Sequence, residues 1–225
     1  MPLDVSRIHA LCFDVDGTLS NSDDQMVAQL SLLLHPFRVF LPGKNSHRIA
    51  RRLVMASEAP ANFLIGLPDL VGADGPIFAL VDWAARNFHT RPNKYWLIHG
   101  VRETLADLSR RYPLAVVSAR DARTTGNFLA QFDLLPYFHC VATAQTCEHT
   151  KPFPDPVLWA AGQMGVSPED CLMIGDTSVD ILAGKAAGAQ TLGVLCGFGE
   201  EAELRRKGAD LVLAETAELL HVLSE

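Results

Sequence analysis

No Cys-x-x-Cys pair occurs in the 225 residues, and the five cysteines (Cys12, Cys140, Cys147, Cys171 and Cys196) are odd in number. Neither a disulfide framework nor a thiolate zinc site is suggested. Cys12 and Cys171 lie inside apolar runs and read as core residues. The chain also lacks an apolar run long enough to span a bilayer. Residues 1–10 include Asp4 and Arg7 and hold no signal-peptide apolar segment. A soluble, cytoplasmic protein is the expectation. Positive charge is scarce: the formal net charge is −7, which argues against nucleic acid or an anionic membrane as a general partner. Internal repeats and low-complexity segments are missing too. What remains is an ordinary globular balance, 48% hydrophobic and 20% charged, enough for a sizeable core. The length suits one large domain, or a core domain with an insert.

The chain is organised around Phe13-Asp14-Val15-Asp16-Gly17-Thr18-Leu19. An apolar run, 8–13, ends in two carboxylates two residues apart, which reads as a buried strand delivering polar groups to a sheet edge. Residues 20–97 carry no strong strand signal. Met26, Val27, Leu30, Leu33, Leu34 and Phe37 fall at helical spacing, and Pro42-Gly43, Pro60, Pro68 and Gly75-Pro76 punctuate the stretch after them. This region is expected to be a compact helical insert. From residue 99 strands and helices alternate. Helices are predicted over 101–111, 122–132, 155–164, 179–187, 200–207 and 215–223. Strands are predicted over 114–117, 138–142, 171–174, 191–195 and 211–213. Such alternation implies an α/β fold, a Rossmann-like parallel sheet with helices on both faces.

Ligands of open α/β sheets bind beyond the carboxyl ends of the strands. Three strands here end in chemically useful residues: Asp14-Val15-Asp16-Gly17-Thr18, Ser118-Ala119-Arg120, and Gly175-Asp176-Thr177-Ser178-Val179-Asp180. Between the last two lies Thr150-Lys151-Pro152-Phe153-Pro154, a rigid loop with a lone lysine. Several carboxylates suit a hard, oxygen-seeking cation such as Mg²⁺, which also takes phosphate oxygens. A hydroxyl and an ammonium nearby suit the phosphate itself. Each stretch alone has a plainer reading. Asp16-Gly17 reads as a hairpin turn but has no partner strand after it. A calcium loop starting at Asp14 needs Gly and Glu where Leu19 and Gln25 stand. Lys151 alone is a surface lysine, and Asp176 and Asp180 alone are a helix cap and a first-turn acid. Four such stretches in order at strand ends make coincidence a poor account.

The four stretches resemble the four motifs of the haloacid dehalogenase-like hydrolase superfamily, and the insert sits where the phosphoglycolate phosphatase-like branch carries its cap. The resemblance implies a core of 1–19 and 98–225 with a helical cap of 20–97, hinged at 19–21 and 95–100. It implies a Mg²⁺-dependent phosphatase for a small phosphorylated metabolite: phosphoglycolate, a sugar phosphate or a nucleotide. By that resemblance Asp14 is the nucleophile, forming an aspartyl-phosphate, and Asp16 moves protons to the leaving alcohol and from the attacking water. Mg²⁺ is held by Asp14, the backbone carbonyl of Asp16, and Asp176. Thr18 and Asp180 lie behind these, Asp180 through water or paired with Lys151. Ser118, the backbone of Ala119, and Lys151 hold the phosphoryl group. One departure is Ala119, where the second motif often has Asn or a similar polar residue; the adjacent Arg120 is expected to be solvated.

A phosphotransferase or phosphomutase on the same scaffold stays open, as does a receiver-like phospho-accepting signalling module. The insert and Asp16 argue against the receiver, and dehalogenation has no use for Asp16. Within the insert, Arg38, Lys44, Arg48, Arg51 and Arg52 are basic with no acid between them. They read either as a solvated face or as a reader of a second anionic group. Tyr95 and Trp96 are expected to pack the hinge. Monomer and homodimer are not distinguished.

Overall fold

A computed structural model of the chain describes residues 3–21, Ser31, His35 and 95–224. The chain divides into two compact units, one of Met1–Gln25 with Tyr95–Glu225 and one of Met26–Lys94. The helices expected between 23 and 88, and the basic residues Arg38 to Arg52, lie outside the described residues.

The first unit is built on β1 (Ala10–Phe13), β2 (Leu114–Val117), β3 (Cys140–Ala142), β4 (Cys171–Gly175), β5 (Gln190–Val194) and β6 (Leu211–Leu213). They form one sheet in the order β3-β2-β1-β4-β5-β6. Every pairing is parallel, with Phe13 level with Val116 on one side and Ile174 on the other. The helices are α1 (Val101–Leu108), α2 (Ala122–Gln131), α3 (Asp155–Met164), α4 (Ser178–Ala187), α5 (Glu201–Arg206) and α6 (Leu219–Val222). Among the described residues no helix is long and apolar enough to cross a membrane.

Strand alternation sorts the core into two layers. Leu11, Phe13, Leu114, Val116, Leu172 and Ile174 share one cluster with Leu105 and Leu108 of α1 and Phe128 of α2. Ala10, Cys12, Ala115, Val117, Cys171 and Met173 share the other with Val157, Ala160 and Ala161 of α3 and Ala183 of α4. The second layer is thin because its side chains are small, so α4 approaches closely. A Cβ on its Gly184 would lie 2.6 Å from Thr191 Cγ2 and 2.9 Å from Met173 Cβ. Cys12 and Cys171 are fully buried, as expected.

Local chemistry fixes the helix ends. Asp121 caps α2, accepting from the backbone N–H groups of Arg123 and Thr124 at 3.0 Å each. Gly165 and Gly188 end α3 and α4 at φ 71° and 82°, the left-handed conformation that glycine takes without strain. Several expectations need correction: the helix expected over 101–111 ends at Leu108, and the strand expected over 138–142 begins at Cys140. The strand expected from residue 8 begins at Ala10. The closing helix over 215–223 is instead a 3-10 turn, Thr216–Glu218, followed by α6. The turn sits where Thr216 is drawn inward, its Oγ1 donating to the Thr18 carbonyl at 2.7 Å.

The crossing segments near residues 20 and 97 are laced together. Ser20 and Leu97 form an antiparallel bridge. Asn21 N–H donates to Trp96 O at 2.8 Å and Ile98 N–H to Leu19 O at 3.0 Å. Tyr95 is buried edge-on against Phe128, the ring centroids 5.8 Å apart, while Trp96 is 44% exposed.

Candidate active site

Parallel pairing puts the carboxyl ends of β1, β2 and β4 side by side, so the residues just beyond them meet. After β1, Asp14 N–H still donates to Ile174 O at 2.9 Å, which holds its backbone in register with β4. The chain then turns sharply: Leu19 and Ser20 N–H donate to Val15 O at 2.9 and 2.8 Å, with Gly17 at φ 70°. After β2, Ser118 is buried, its N–H bonded to Ala142 O at 2.9 Å. Its Oγ accepts from Arg120 N–H at 3.1 Å. After β4 come Asp176 and Thr177, and α4 begins.

Lys151 arrives from the loop between β3 and α3 and is 4% exposed. Its ammonium donates to Asp14 Oδ1 at 2.6 Å and to Asp180 Oδ1 at 2.5 Å. The other oxygen of Asp180 accepts from Thr177 N–H at 3.0 Å and Thr177 Oγ1–H at 2.7 Å. Asp180 thus caps α4 and anchors the lysine with one carboxylate. Asp176 is fully buried, and its Oδ2 accepts from Phe198 N–H at 2.6 Å. Asp14, Asp176 and Asp180 each offer an oxygen within 4.8 Å of the others.

This crowding sets the electrostatics. Burial raises the Asp14 carboxyl from its ordinary 3.8 to about 7; Lys151 pulls it back, while Asp180 and Asp16 push it up. Asp176 is held well above the carboxylate range by burial, and then by Asp180 and Asp14. Burial alone would loosen the proton of Lys151, but Asp14 and Asp180 outweigh it and raise the pKa. Three buried carboxyl groups share one ammonium, so ionising all three would leave an excess of negative charge; burial and that excess together make two of them hold their protons more tightly.

Residues 11–194 match the family described as haloacid dehalogenase-like hydrolase. The chain belongs to the haloacid dehalogenase-like hydrolases. Among its relatives, a pyrophosphatase PpaX of Anoxybacillus flavithermus is 28% identical over 223 residues, 96% of this chain and 97% of that protein. A phosphoglycolate phosphatase of Nitrosococcus oceani is 30% identical over 228 residues, 96% of each. Two solved structures share the fold. A predicted phosphoglycolate phosphatase from Haemophilus somnus has TM-score 0.70 at 23% identity, covering 96% of this chain and 98% of that one. A family hydrolase from Deinococcus radiodurans, with bound phosphate and sodium, has TM-score 0.70 at 26% identity, covering 97% and 96%.

In this haloacid dehalogenase-like hydrolase, Lys151 joins Asp14 to Asp180 and Asp176 lies beside those two acids, while Ser118 follows the neighbouring strand β2. The donor set fits a hard divalent cation, and one atom makes the case. Asp176 Oδ1 is buried with no hydrogen-bond partner, although its sister oxygen is bonded. An orphaned carboxylate oxygen beside two more carboxylates is costly without a cation. Thr18 is buried behind the turn, its carbonyl bonded by Thr216 and its Oγ1 without a hydrogen-bond partner.

Arg120 requires correction. It is not solvated: its Nε and Nη2 donate to the two oxygens of Asp16, and the side chains are 15% and 14% exposed. Its guanidinium lies over the Tyr95 ring, 5.6 Å from the centroid. Sequence reasoning also missed the loop after β5. A Cβ on Gly197 would fall 2.2 Å from Asp176 Oδ2 and 2.5 Å from Gly17 Cα, and one on Gly199 1.9 Å from Asp176 O. Only glycine lets this loop lie against Asp176 so that Phe198 N–H can hold it. The signal was there as Gly197-Phe198-Gly199 just beyond a strand end.

Proposed function

We propose that this hydrolase is a Mg²⁺-dependent phosphatase of small phosphomonoesters working through an aspartyl-phosphate on Asp14. The reading rests on one observation above all: a buried lysine bridging Asp14 and Asp180 beside the unsatisfied oxygen of Asp176. Phosphate esters are the substrates that such a mixed cluster serves, since a carboxylate nucleophile must approach an anion. The relatives named as pyrophosphatase and phosphoglycolate phosphatase support it as well.

Asp14, the backbone carbonyl of Asp16, and Asp176 would hold Mg²⁺, which when bound neutralises charge on the phosphoryl oxygens and on the attacking carboxylate. Asp14 attacks phosphorus as the bond to the ester oxygen breaks. Asp16 gives its proton to that oxygen, so a neutral alcohol departs. Water then attacks the phosphorus of the aspartyl-phosphate, Asp16 takes its proton, and the bond to Asp14 breaks to release inorganic phosphate. Lys151 and Ser118 hold the phosphoryl oxygens, with the Ala119 N–H as a further donor. Asp180 keeps Lys151 in place. Thr18 supports the turn that carries Asp16. Substrate choice falls to the 20–97 insert, together with whatever surrounds the leaving group.

Turnover of p-nitrophenyl phosphate with Mg²⁺ tests the reading. Asp14→Asn should abolish it while the protein still folds and unfolds in a single cooperative thermal transition. Asp16→Asn should cost about 10²–10⁴ on an alkyl phosphate that needs a proton donor. Full activity in Asp14→Asn overturns the mechanism.

A further inference from the structure

The pairing of Arg120 with Asp16 conflicts with the work assigned to Asp16. Both oxygens of the carboxylate lie in the guanidinium fork. Held this way, each oxygen commits a lone pair to the guanidinium, and the carboxylate is fixed on Arg120 rather than able to swing to the ester oxygen of a substrate on Asp14. The fork must open in every turnover. Opening it has a penalty: both side chains are mostly buried, and separating a buried ion pair without a replacement is strongly unfavourable. Swinging Arg120 out to water would also give up its place over the Tyr95 ring, which is itself packed against Phe128.

A substrate can remove that penalty by bringing its own anion. Asp16 must stand next to the leaving oxygen, so Arg120, in contact with Asp16, stands beside the leaving group. A carboxylate or a second phosphate close to the ester oxygen matches a guanidinium fork as well as Asp16 does. We propose that Arg120 is a latch on Asp16, opened when an anionic leaving group takes over the guanidinium and frees Asp16 to donate its proton. Substrates with a neutral leaving group must break the pair while bringing no anion of their own to the guanidinium. Arg120 therefore selects phosphate esters or anhydrides whose leaving group is itself an anion. This rests on the phosphatase reading above and adds the class of substrate to it.

The test uses the full-length enzyme with Mg²⁺ and three substrates: ethyl phosphate, phosphoglycolate and inorganic pyrophosphate. The first has a neutral leaving group, the second a carboxylate, the third a phosphate. Wild type should favour at least one anionic substrate over ethyl phosphate in kcat/KM by roughly tenfold or more. Arg120→Met should shrink that ratio by roughly the same factor, through both kcat and KM of the anionic substrate. Arg120→Lys, which keeps the charge but not the fork, should fall between and stands in should the methionine variant fail to fold. Which substrate is favoured tells carboxylate from phosphate. The latch is overturned if wild type shows no preference, or if either variant lowers all three substrates by one common factor. If wild type hydrolyses none of these and not p-nitrophenyl phosphate either, the phosphatase reading falls and takes the latch with it.

Discussion

At Lys151 a single side chain decides whether two carboxylates can share a site. It is bonded to Asp14 and Asp180, both nearly or wholly buried. Lys151→Met would leave those acids facing each other across an apolar side chain. Removing one partner of a buried ion pair costs about 3–5 kcal/mol, and urea unfolding without divalent cations should show a loss of that size. Gly197 makes the opposite argument, by space rather than charge. In Gly197→Ala the new methyl group meets Asp176 Oδ2 and the Gly17 backbone, so both must shift. Calorimetric titration with Mg²⁺ should show affinity lowered about 10–100-fold, the usual effect of disturbing the groups that orient a metal ligand. Unchanged affinity would mean that the loop does not aim Asp176. These two residues also mark what could be read in advance. Lys151 stands out in the sequence because it is a lone lysine in a proline-framed loop between two strand-end motifs. The role of Gly197 depends on Asp176, and that of Arg120 on an acid 104 positions away, so neither has a local signature.

At the scale of elements, the helices whose ends carry chemical punctuation are the ones legible in the sequence. α3 begins with Asp155-Pro156 and stops at Gly165, and it spans the predicted residues. β2 and β6 also match, as apolar runs between polar breaks. The C-terminal helix departs from expectation because its apolar spacing is helical, while Thr216 is drawn toward Thr18 and the first turn tightens to 3-10. Helical glycines separate the same two influences, propensity and packing. A Cβ on Gly126 of α2 or Gly162 of α3 meets nothing within 4 Å. Alanine at either should stabilise by about 0.5–1 kcal/mol, read as a higher urea midpoint. Gly184→Ala in α4 should do the reverse, since Thr191 and Met173 occupy the space.

For the whole molecule, the site opposes folding unless its charge is met. The chain carries a net charge of −7, and among the described residues the most deeply buried acids gather at one point. Burial, only partly offset by Lys151, lifts Asp14 from 3.8 to about 7 in the folded state. A carboxyl whose folded pKa is raised binds its proton more tightly folded than unfolded. Its contribution to stability is complete below about 3.8 and is lost as pH rises through about 7. Asp176, shifted in the same direction, extends that loss upward. Without divalent cations the thermal midpoint should therefore decline between pH 5 and 8 in a way that Asp14→Asn blunts. Mg²⁺ competes with those protons for the same oxygens, so its stabilisation should grow with pH. At a hundred times its dissociation constant the gain is about 2.7 kcal/mol. Thermal scans in EDTA and in Mg²⁺ at pH 5.5 and 8 measure both effects. An increment from Mg²⁺ that is equal at the two pH values would show that the cation does not bind where Asp14 and Asp176 titrate.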